Sequence, residues 1–189
     1  MIHRVQQVRS IVETETETLA DEPIHPADLS IDRLMRDCEV TATRRGGPGG
    51  QHRNRNQTAV VIVHRPTGLR ASASERRSQA RNRSVAVHRL RRMLALNLRT
   101  ERKPDRTPSP LLRGRLQSGR IAVDTKHMDY PSILAEVLDV LEACGYDQRR
   151  VSGWIGCTSS QLVRFLKREP DALQQVNLKR AEKGEAPLR

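Results

Sequence analysis

A glycine-rich loop, Gly46-Gly47-Pro48-Gly49-Gly50-Gln51, contains the residue types in this sequence that could do chemistry. Gly49 and Gly50 can adopt positive φ angles, so the backbone there can approach a substrate that a Cβ atom would exclude. Fixed dipoles held against a reacting carbonyl group can stabilise a developing negative charge without an ionisable base. A nucleotide-phosphate loop is not indicated, because no Lys-Ser/Thr pair follows the glycines. The sequence shows no Ser/His/Asp, Cys/His or paired-carboxylate set either.

Cationic residues surround this loop. Residues 41–120 contain 20 Lys and Arg against 3 Asp and Glu, a net charge of +17, whereas the rest of the chain carries −5. All but one of these cations are arginine, whose planar guanidinium suits bidentate phosphate contacts. The imbalance predicts nucleic acid as the partner and no membrane, because no basic stretch carries a broad apolar face.

Eleven residues near the loop are predicted to contact RNA. For the group at positions 77–83 the alternative is a solvated helix face with an N-terminal cap. The predicted contacts are Arg44, Arg45, His52, Arg53, Asn54, Arg55, Arg77, Ser78, Gln79, Asn82 and Arg83.

A small sheet and a long helix are predicted to position the loop, which gives an α+β fold class with the loop projecting from it. A flexible leader at 1–26 is expected to precede them. The predicted elements are a short helix within 27–38, strands at 39–43, 58–64 and 69–73 with a tight turn at 66–68, and a helix at about 75–98.

The motifs around the loop resemble the catalytic domain of class I peptide-chain release factors and the shorter release-factor-like ribosome-rescue hydrolases. The resemblance covers roughly residues 27–100, predicted as a catalytic domain, and Arg55 departs from it mildly because relatives more often have Lys nearby. The matching residues are Gly47-Pro48-Gly49-Gly50-Gln51-His52, Asn54, Thr58-Ala59-Val60, His64, Pro66-Thr67-Gly68, Arg77-Ser78-Gln79, Asn82-Arg83 and Ala86.

This resemblance implies that Gly49, Gly50 and Gln51 hydrolyse the ester between peptide and tRNA on the ribosome. It implies that the backbone N–H of Gln51 stabilises the transition state or the leaving oxygen, while its side chain shapes the water site. The implied partners are large-subunit rRNA and peptidyl-tRNA, and a glutamine methyltransferase acting on Gln51 is a possible further one. No cofactor is implied.

Stop-codon reading is not expected. Neither the Pro-any-Thr nor the Ser-Pro-Phe tripeptide of decoding release factors occurs here, and residues 1–40 are too few for a codon-recognition domain. The sequence therefore predicts codon-independent hydrolysis in the rescue of stalled ribosomes. The alternative is a non-catalytic ribosome- or RNA-binding factor that keeps the fold, and the intact Gly49-Gly50-Gln51 argues against it.

The second half of the chain is predicted to hold a basic linker at 101–131 and a helical module at 132–189. Within the module the spacing favours a helix-turn-helix, with Gly156 in the turn and Thr158 capping a second helix that carries Arg164, Lys167 and Arg168. Three interpretations stay open. They are a plain helical bundle with Trp154 and Phe165 in its core, a helix-turn-helix that grips RNA or ribosomal protein, and one that reads DNA.

The remaining composition predicts a cytoplasmic monomer without metal. Cys38, Cys144 and Cys157 are odd in number and lack C-x-x-C spacing, which is typical of reduced thiols. The six histidines show no ligand spacing. No apolar run approaches the roughly 20 residues of a membrane span, and the first residues do not form a secretory signal.

Overall fold

The computed structural model of the protein describes residues 23–43, 58–103 and 107–189. The mixture of a small antiparallel sheet with helices confirms the predicted α+β class. The first elements in chain order are a 3-10 turn at Pro26–Asp28, helix α1 at Ile31–Arg36, and strands β1 at Cys38–Thr43, β2 at Ala59–His64 and β3 at Arg70–Ala73. They are followed by helix α2 at Gln79–Asn97, helix α3 at Pro110–Gly114, and strands β4 at Leu116–Gln117 and β5 at Arg120–Ile121. The last elements are helices α4 at Tyr130–Ala143, α5 at Gln148–Ile155, α6 at Ser159–Leu166 and α7 at Pro170–Glu182.

The three-stranded sheet has the order β1-β2-β3, with both strand pairs antiparallel. The β-branched β2 lies in the centre, as expected for side chains that pack well on a pleated surface. Val60 and Ile62 are buried, and they pair with Ala73 and Ala71 of β3. The predicted turn between β2 and β3 is confirmed, since Gly68 has a φ of 70° and its N–H donates to the His64 carbonyl at 2.8 Å.

Helix α2 crosses this sheet and also packs against α4. Its first turn is capped by Ser78, whose hydroxyl oxygen accepts a hydrogen bond from the Arg81 N–H at 3.4 Å. The fully buried residues Ala86, Leu90 and Leu94 recur every four positions and so lie along one stripe of the helix. The predicted long helix is therefore confirmed, and it begins only after the cap.

Helix α4 is buried along almost its whole length, because α2, the 3-10 turn and α5 all pack against it. Two of its buried residues are carboxylates with partners in the segment that follows α2. Glu136 accepts hydrogen bonds from the Ser109 N–H at 2.7 Å and from the Ser109 hydroxyl at 2.5 Å. Asp139 accepts one from the Thr100 N–H at 3.1 Å. Through these hydrogen bonds the two carboxylates hold the described parts of the segment 99–109 against α4.

The interval expected to be a basic linker carries regular structure in its described part. Helix α3 begins with Ser109 as its cap and Pro110 in its first turn, a position that suits proline. Strands β4 and β5 form a hairpin around Ser118 and Gly119, both of which have positive φ angles. Because buried residues from all parts of the described chain form one hydrophobic cluster, the division into separate domains stays a prediction.

The connection between α5 and α6 has the predicted geometry. Gly156 ends α5 in the left-handed conformation with a φ of 84°, and the Thr158 hydroxyl caps α6 by accepting from the Gln161 N–H at 3.3 Å. Phe165 is buried beside the Tyr130 ring, with 5.7 Å between ring centroids, whereas Trp154 is only partly buried. Helices α5 and α6 are thus joined by a tight turn, and Phe165 of α6 adds an aromatic contact to Tyr130 of α4, while the helix-turn-helix interpretation stays a prediction.

Candidate functional site

The predicted catalytic loop joins two neighbouring strands of the sheet. Its residues 44–57 lie outside the described residues, so Gly49, Gly50, Gln51, Arg44, Arg45, His52, Arg53, Asn54 and Arg55 remain predictions. The structure does describe both flanks, where Thr43 at the end of β1 pairs with Ala59 at the start of β2. Thr43 and Thr58, which flank the loop, therefore lie at the same end of the β1–β2 pair, with Thr58 next to the paired Ala59.

Asn82 occupies a different place from the RNA contact expected of it. Its side chain is fully buried. The amide nitrogen donates to the Thr58 carbonyl at 2.6 Å and to the Arg76 carbonyl at 2.9 Å, and the amide oxygen accepts from the Arg76 N–H at 2.8 Å. We therefore correct the expectation for Asn82: its bonding capacity is used inside the protein, where it joins the end of the loop to the segment before α2.

The other predicted RNA contacts of this group lie at the start of α2 and are exposed. Arg77, Gln79 and Arg83 face solvent, and Ser78 provides the cap described above. For Ser78 the cap that the alternative interpretation expected is therefore present. Two further exposed arginines, Arg76 and Arg81, belong to the same cluster. The lack of any acidic residue between Glu75 and Glu101 could have identified Arg81 from the sequence as part of this cluster.

The electrostatic setting of this cluster is strongly positive. No Asp or Glu occurs between Glu75 and Glu101. Glu75 itself is paired with Arg89 at 2.6 Å, and this hydrogen bond from Arg89 holds the pKa of Glu75 below its usual range. Arg89 also donates to the Ser72 carbonyl at 2.6 Å, so the ion pair braces the connection between β3 and α2. Among the described residues, the exposed arginines near the helix start form no ion pair, so they are available to an external anion.

His64 lies at the far end of β2 from the loop. It is buried, and one ring nitrogen lies 2.8 Å from the Thr67 hydroxyl oxygen. Burial lowers its pKa, which keeps the imidazole neutral near pH 7. His64 and the turn at 66–68 therefore stabilise the β2–β3 hairpin. They lie at the opposite end of the sheet from the residues that flank the loop.

The described residues contain neither a candidate metal site nor a membrane-spanning helix. In the ranges 23–43, 58–103 and 107–189, no three His, Cys, Asp or Glu side chains are grouped closely enough to hold a metal ion. Across the same part of the chain, every helix is too short or too polar to cross a bilayer.

Comparison with known proteins identifies the domain that contains the loop and its supports. The family model described as the RF-1 domain matches residues 27–127, which is more than half of the chain. The match includes the sheet, α2, α3 and the β4–β5 hairpin.

Curated relatives give the same result. Peptide chain release factor 1 of Mycoplasma genitalium is 31% identical over 180 residues, which cover 79% of this chain and 47% of that protein. Peptide chain release factor 1 of Caldicellulosiruptor bescii is 39% identical over 98 residues, covering 49% of this chain and 27% of the relative. The mitochondrial peptide chain release factor 1-like protein of Mus musculus is 36% identical over 106 residues, covering 53% and 28%.

The chain thus spans between about a quarter and a half of the length of these relatives. The match of the family model to residues 27–127 is supported by the described fold, in which paired strands hold both ends of the Gly49-Gly50-Gln51 loop. The chain therefore belongs to the RF-1 domain family and is a release-factor-like protein.

Proposed function

We propose that this protein hydrolyses the ester of peptidyl-tRNA on the ribosome, without reading a codon, and so rescues stalled ribosomes. The observation that carries the proposal is the RF-1 domain match over residues 27–127, which spans an intact Gly49-Gly50-Gln51. The curated relatives named above are peptide chain release factors, and this likeness supports the same class of reaction here.

The proposed reaction is addition of water to the ester carbonyl. The carbonyl carbon gains a bond to the water oxygen and loses its bond to the ribose oxygen, which leaves with a proton as the tRNA hydroxyl. The backbone N–H of Gln51 stabilises the negative charge that develops, and its side chain helps to place the water. Gly49 and Gly50 let the backbone come close enough to the tRNA end. This chemistry needs no cofactor.

The positive cluster at the start of α2 supplies the proposed grip on ribosomal RNA. Arg77 and Arg83, with Arg76 and Arg81, are exposed within a stretch that contains no acidic residue. Phosphate contacts of this kind orient a protein on RNA without reading sequence. Asn82 supports the arrangement from inside, because it links the residue before β2 to the segment that carries Arg76.

The test is release of labelled peptide from purified ribosomes stalled on an mRNA without a stop codon. The parent protein is compared with Gln51→Ala and Gly50→Ala, and ribosome binding is measured in parallel by co-sedimentation. We expect the parent to release peptide and both variants to bind but to release about 100-fold more slowly, the scale of misplacing reacting groups. Gln51→Ala removes the side chain that places the water, and Gly50→Ala adds a Cβ where the backbone must approach the tRNA end. Arg33→Ala, which changes an exposed residue of α1, is the control.

Codon independence is tested in the same assay. Ribosomes with a stop codon, a sense codon or no codon in the A site are compared, and we expect no preference for the stop codon. A strong stop-codon preference would contradict this part of the proposal. Binding without release by the parent would favour the alternative, a non-catalytic ribosome- or RNA-binding factor.

The proposed modification of Gln51 has a separate test. A glutamine methyltransferase acting on this side chain would replace one amide hydrogen with a methyl group, so the peptide that contains Gln51 would gain the mass of CH2. Mass spectrometry of the protein from its native source checks this. An unmodified peptide would remove the methyltransferase from the proposed partners and would leave the hydrolysis proposal in place.

A further inference from the structure

A groove of about 590 Å³ runs along the outer side of α6. One wall is α6 with the residue that follows it, and its side chains include Ser160, Arg164 and Lys167. The other wall is the segment 186–189, and Gln148 at the start of α5 closes one end. None of these groups belongs to the catalytic loop or to the positive cluster of α2.

The second wall is held in place by side chains of α7. Arg180 is buried, and its guanidinium donates to the Tyr146 carbonyl at 2.6 Å and to the Ala186 carbonyl at 2.8 Å. Asn177 makes a two-way contact with Leu188: its amide donates to the Leu188 carbonyl at 3.2 Å, and its oxygen accepts from the Leu188 N–H at 2.7 Å. The groove is therefore preformed, so a ligand need not order this segment on binding.

The charge of the groove points to an anionic ligand. No Asp or Glu lines it. The stretch 148–168, which forms α5, the turn and α6, contains five arginines and lysines and no acidic residue. Among the described residues, the exposed side chains of Arg164 and Lys167 have no hydrogen-bond or ion-pair partner. Two unneutralised cations on one face of a helix favour a ligand with repeated negative charges.

We propose that this groove binds the sugar–phosphate backbone of double-helical RNA, as a second RNA contact of the protein. Two features of the groove favour this occupant. No aromatic side chain lines the described groove, so the base stacking by which single strands are held is not provided. The segment 186–189 flanks the outer face of α6, which obstructs insertion of this helix into a DNA major groove. Double-helical RNA is recognised through phosphates and shape, which this surface can meet.

The experiment measures binding of the full chain to a labelled RNA duplex of about 20 base pairs, longer than the ~16 base pairs that a double-stranded-RNA-binding domain spans. Fluorescence anisotropy is recorded at several salt concentrations for the parent, Arg164→Ala/Lys167→Ala and a matched control, Arg33→Ala/Lys126→Ala. The control removes two exposed cations that do not line the groove, so both variants have the same net charge. Thermal unfolding of each variant checks that the fold is retained.

We expect the groove variant to bind the duplex about 10-fold more weakly than the control, with the slope of log affinity against log salt reduced by about two. Equal affinity of the groove variant and the control would overturn the proposal. Tighter binding to single-stranded RNA, or tighter and sequence-dependent binding to duplex DNA, would also overturn it. Peptide release is not the readout, so failure of the hydrolase proposal would leave this result interpretable.

Discussion

The side-chain amide of Asn82 donates a 2.6 Å hydrogen bond to the carbonyl oxygen of Thr58, which joins α2 to the residue that precedes β2. The same side chain holds both main-chain groups of Arg76. One buried amide therefore positions two segments that lead to the predicted site, the returning end of the loop and the approach to the positive cluster. Hydrogen bonds within the protein therefore account for the polar side chain of Asn82 in the core, and no ligand is needed to explain it.

Loss of the Asn82 amide is expected to destabilise the whole fold. Asn82→Ala leaves the Thr58 carbonyl and the Arg76 N–H without this buried partner. Each unsatisfied group costs about 1 to 3 kcal/mol, so we expect the free energy of unfolding to fall by about 2 to 4 kcal/mol in urea denaturation. Arg83→Ala, a nearby exposed change, should stay within about 0.5 kcal/mol of the parent. Equal stabilities of the two variants would show that the amide has no such role.

Arg91 and Ser132 are expected to act as one unit. The Arg91 guanidinium donates to the Ala27 carbonyl at 2.7 Å and to the Ser132 hydroxyl oxygen at 2.9 Å, and that hydroxyl donates to Ala27 at 3.1 Å. We expect Arg91→Met to lower the free energy of unfolding by about 2 to 4 kcal/mol and Ser132→Ala by about 1 kcal/mol. A double-mutant cycle should give a combined loss smaller than the sum by about 0.5 to 2 kcal/mol. Strict additivity would mean that the two side chains stabilise the fold independently.

Asp139 is expected to make the protein less stable as the pH rises towards neutrality. Burial raises the pKa of Asp139 to about 7, and Oδ2 has no hydrogen-bond partner in the described structure. The folded state therefore binds more protons than the unfolded state between about pH 4 and pH 7, so this contribution to stability is lost as the pH rises through that window. Asp139→Asn keeps an acceptor for Thr100 and should stabilise the protein by about 2 to 4 kcal/mol at pH 8.

The measurement is thermal or urea unfolding of the parent and Asp139→Asn at pH 5 and pH 8. The readout is the difference in unfolding free energy between the two proteins at each pH. This difference removes the contribution of His25, which changes stability with pH in the opposite direction from Asp139 and is present in both proteins. Burial lowers the pKa of His25 to about 4, so its contribution is lost as the pH falls below about 6.5. A difference that does not grow from pH 5 to pH 8 would contradict a charged, buried Asp139.

The positive cluster of α2 is expected to control affinity for the ribosome. Arg77 and Arg83 are exposed, so Arg77→Ala/Arg83→Ala should preserve the fold and remove two of the proposed phosphate contacts. We expect weaker co-sedimentation with ribosomes and a salt dependence reduced by about two in slope. The control is Arg33→Ala/Arg113→Ala, which removes two exposed cations from α1 and α3. The same loss in the control would mean that net charge, and not this cluster, sets the affinity.

Local patterns were sufficient to predict the elements that frame the loop. The β-branched residues of β2 and the turn at Gly68 act through backbone preferences of a few residues, and the cap at Ser78 is of the kind that the alternative interpretation expected. Gly156 and Thr158 also mark the turn between α5 and α6 for local reasons. Such features depend little on the rest of the chain, so the sequence alone predicts them.

Features that depend on distant partners could not be predicted in this way. Asn82 is an ordinary polar helix residue by pattern, and only the approach of Thr58, 24 positions earlier in the chain, makes it a core residue. In the interval 101–131, prolines and arginines indicated a linker, yet Ser109 is held by Glu136 of α4. Glu136 is 27 positions away from Ser109 in the chain, so a pattern of a few neighbouring residues cannot include both.

The pairing of Thr43 with Ala59 places the two attachment points of the intervening segment directly opposite each other. Residues directly opposite each other in an antiparallel pair have Cα atoms about 4.5 to 5.5 Å apart, a gap that a two-residue hairpin turn can bridge. A two-residue insert ahead of Thr58, which makes a three-residue hairpin connection between Thr43 and Ala59, could therefore replace the segment from Arg44 to Gln57 while Thr58 and its bond to Asn82 remain. The scaffold could then be prepared without the predicted catalytic loop, and foreign loops could be grafted onto the same pair of strands.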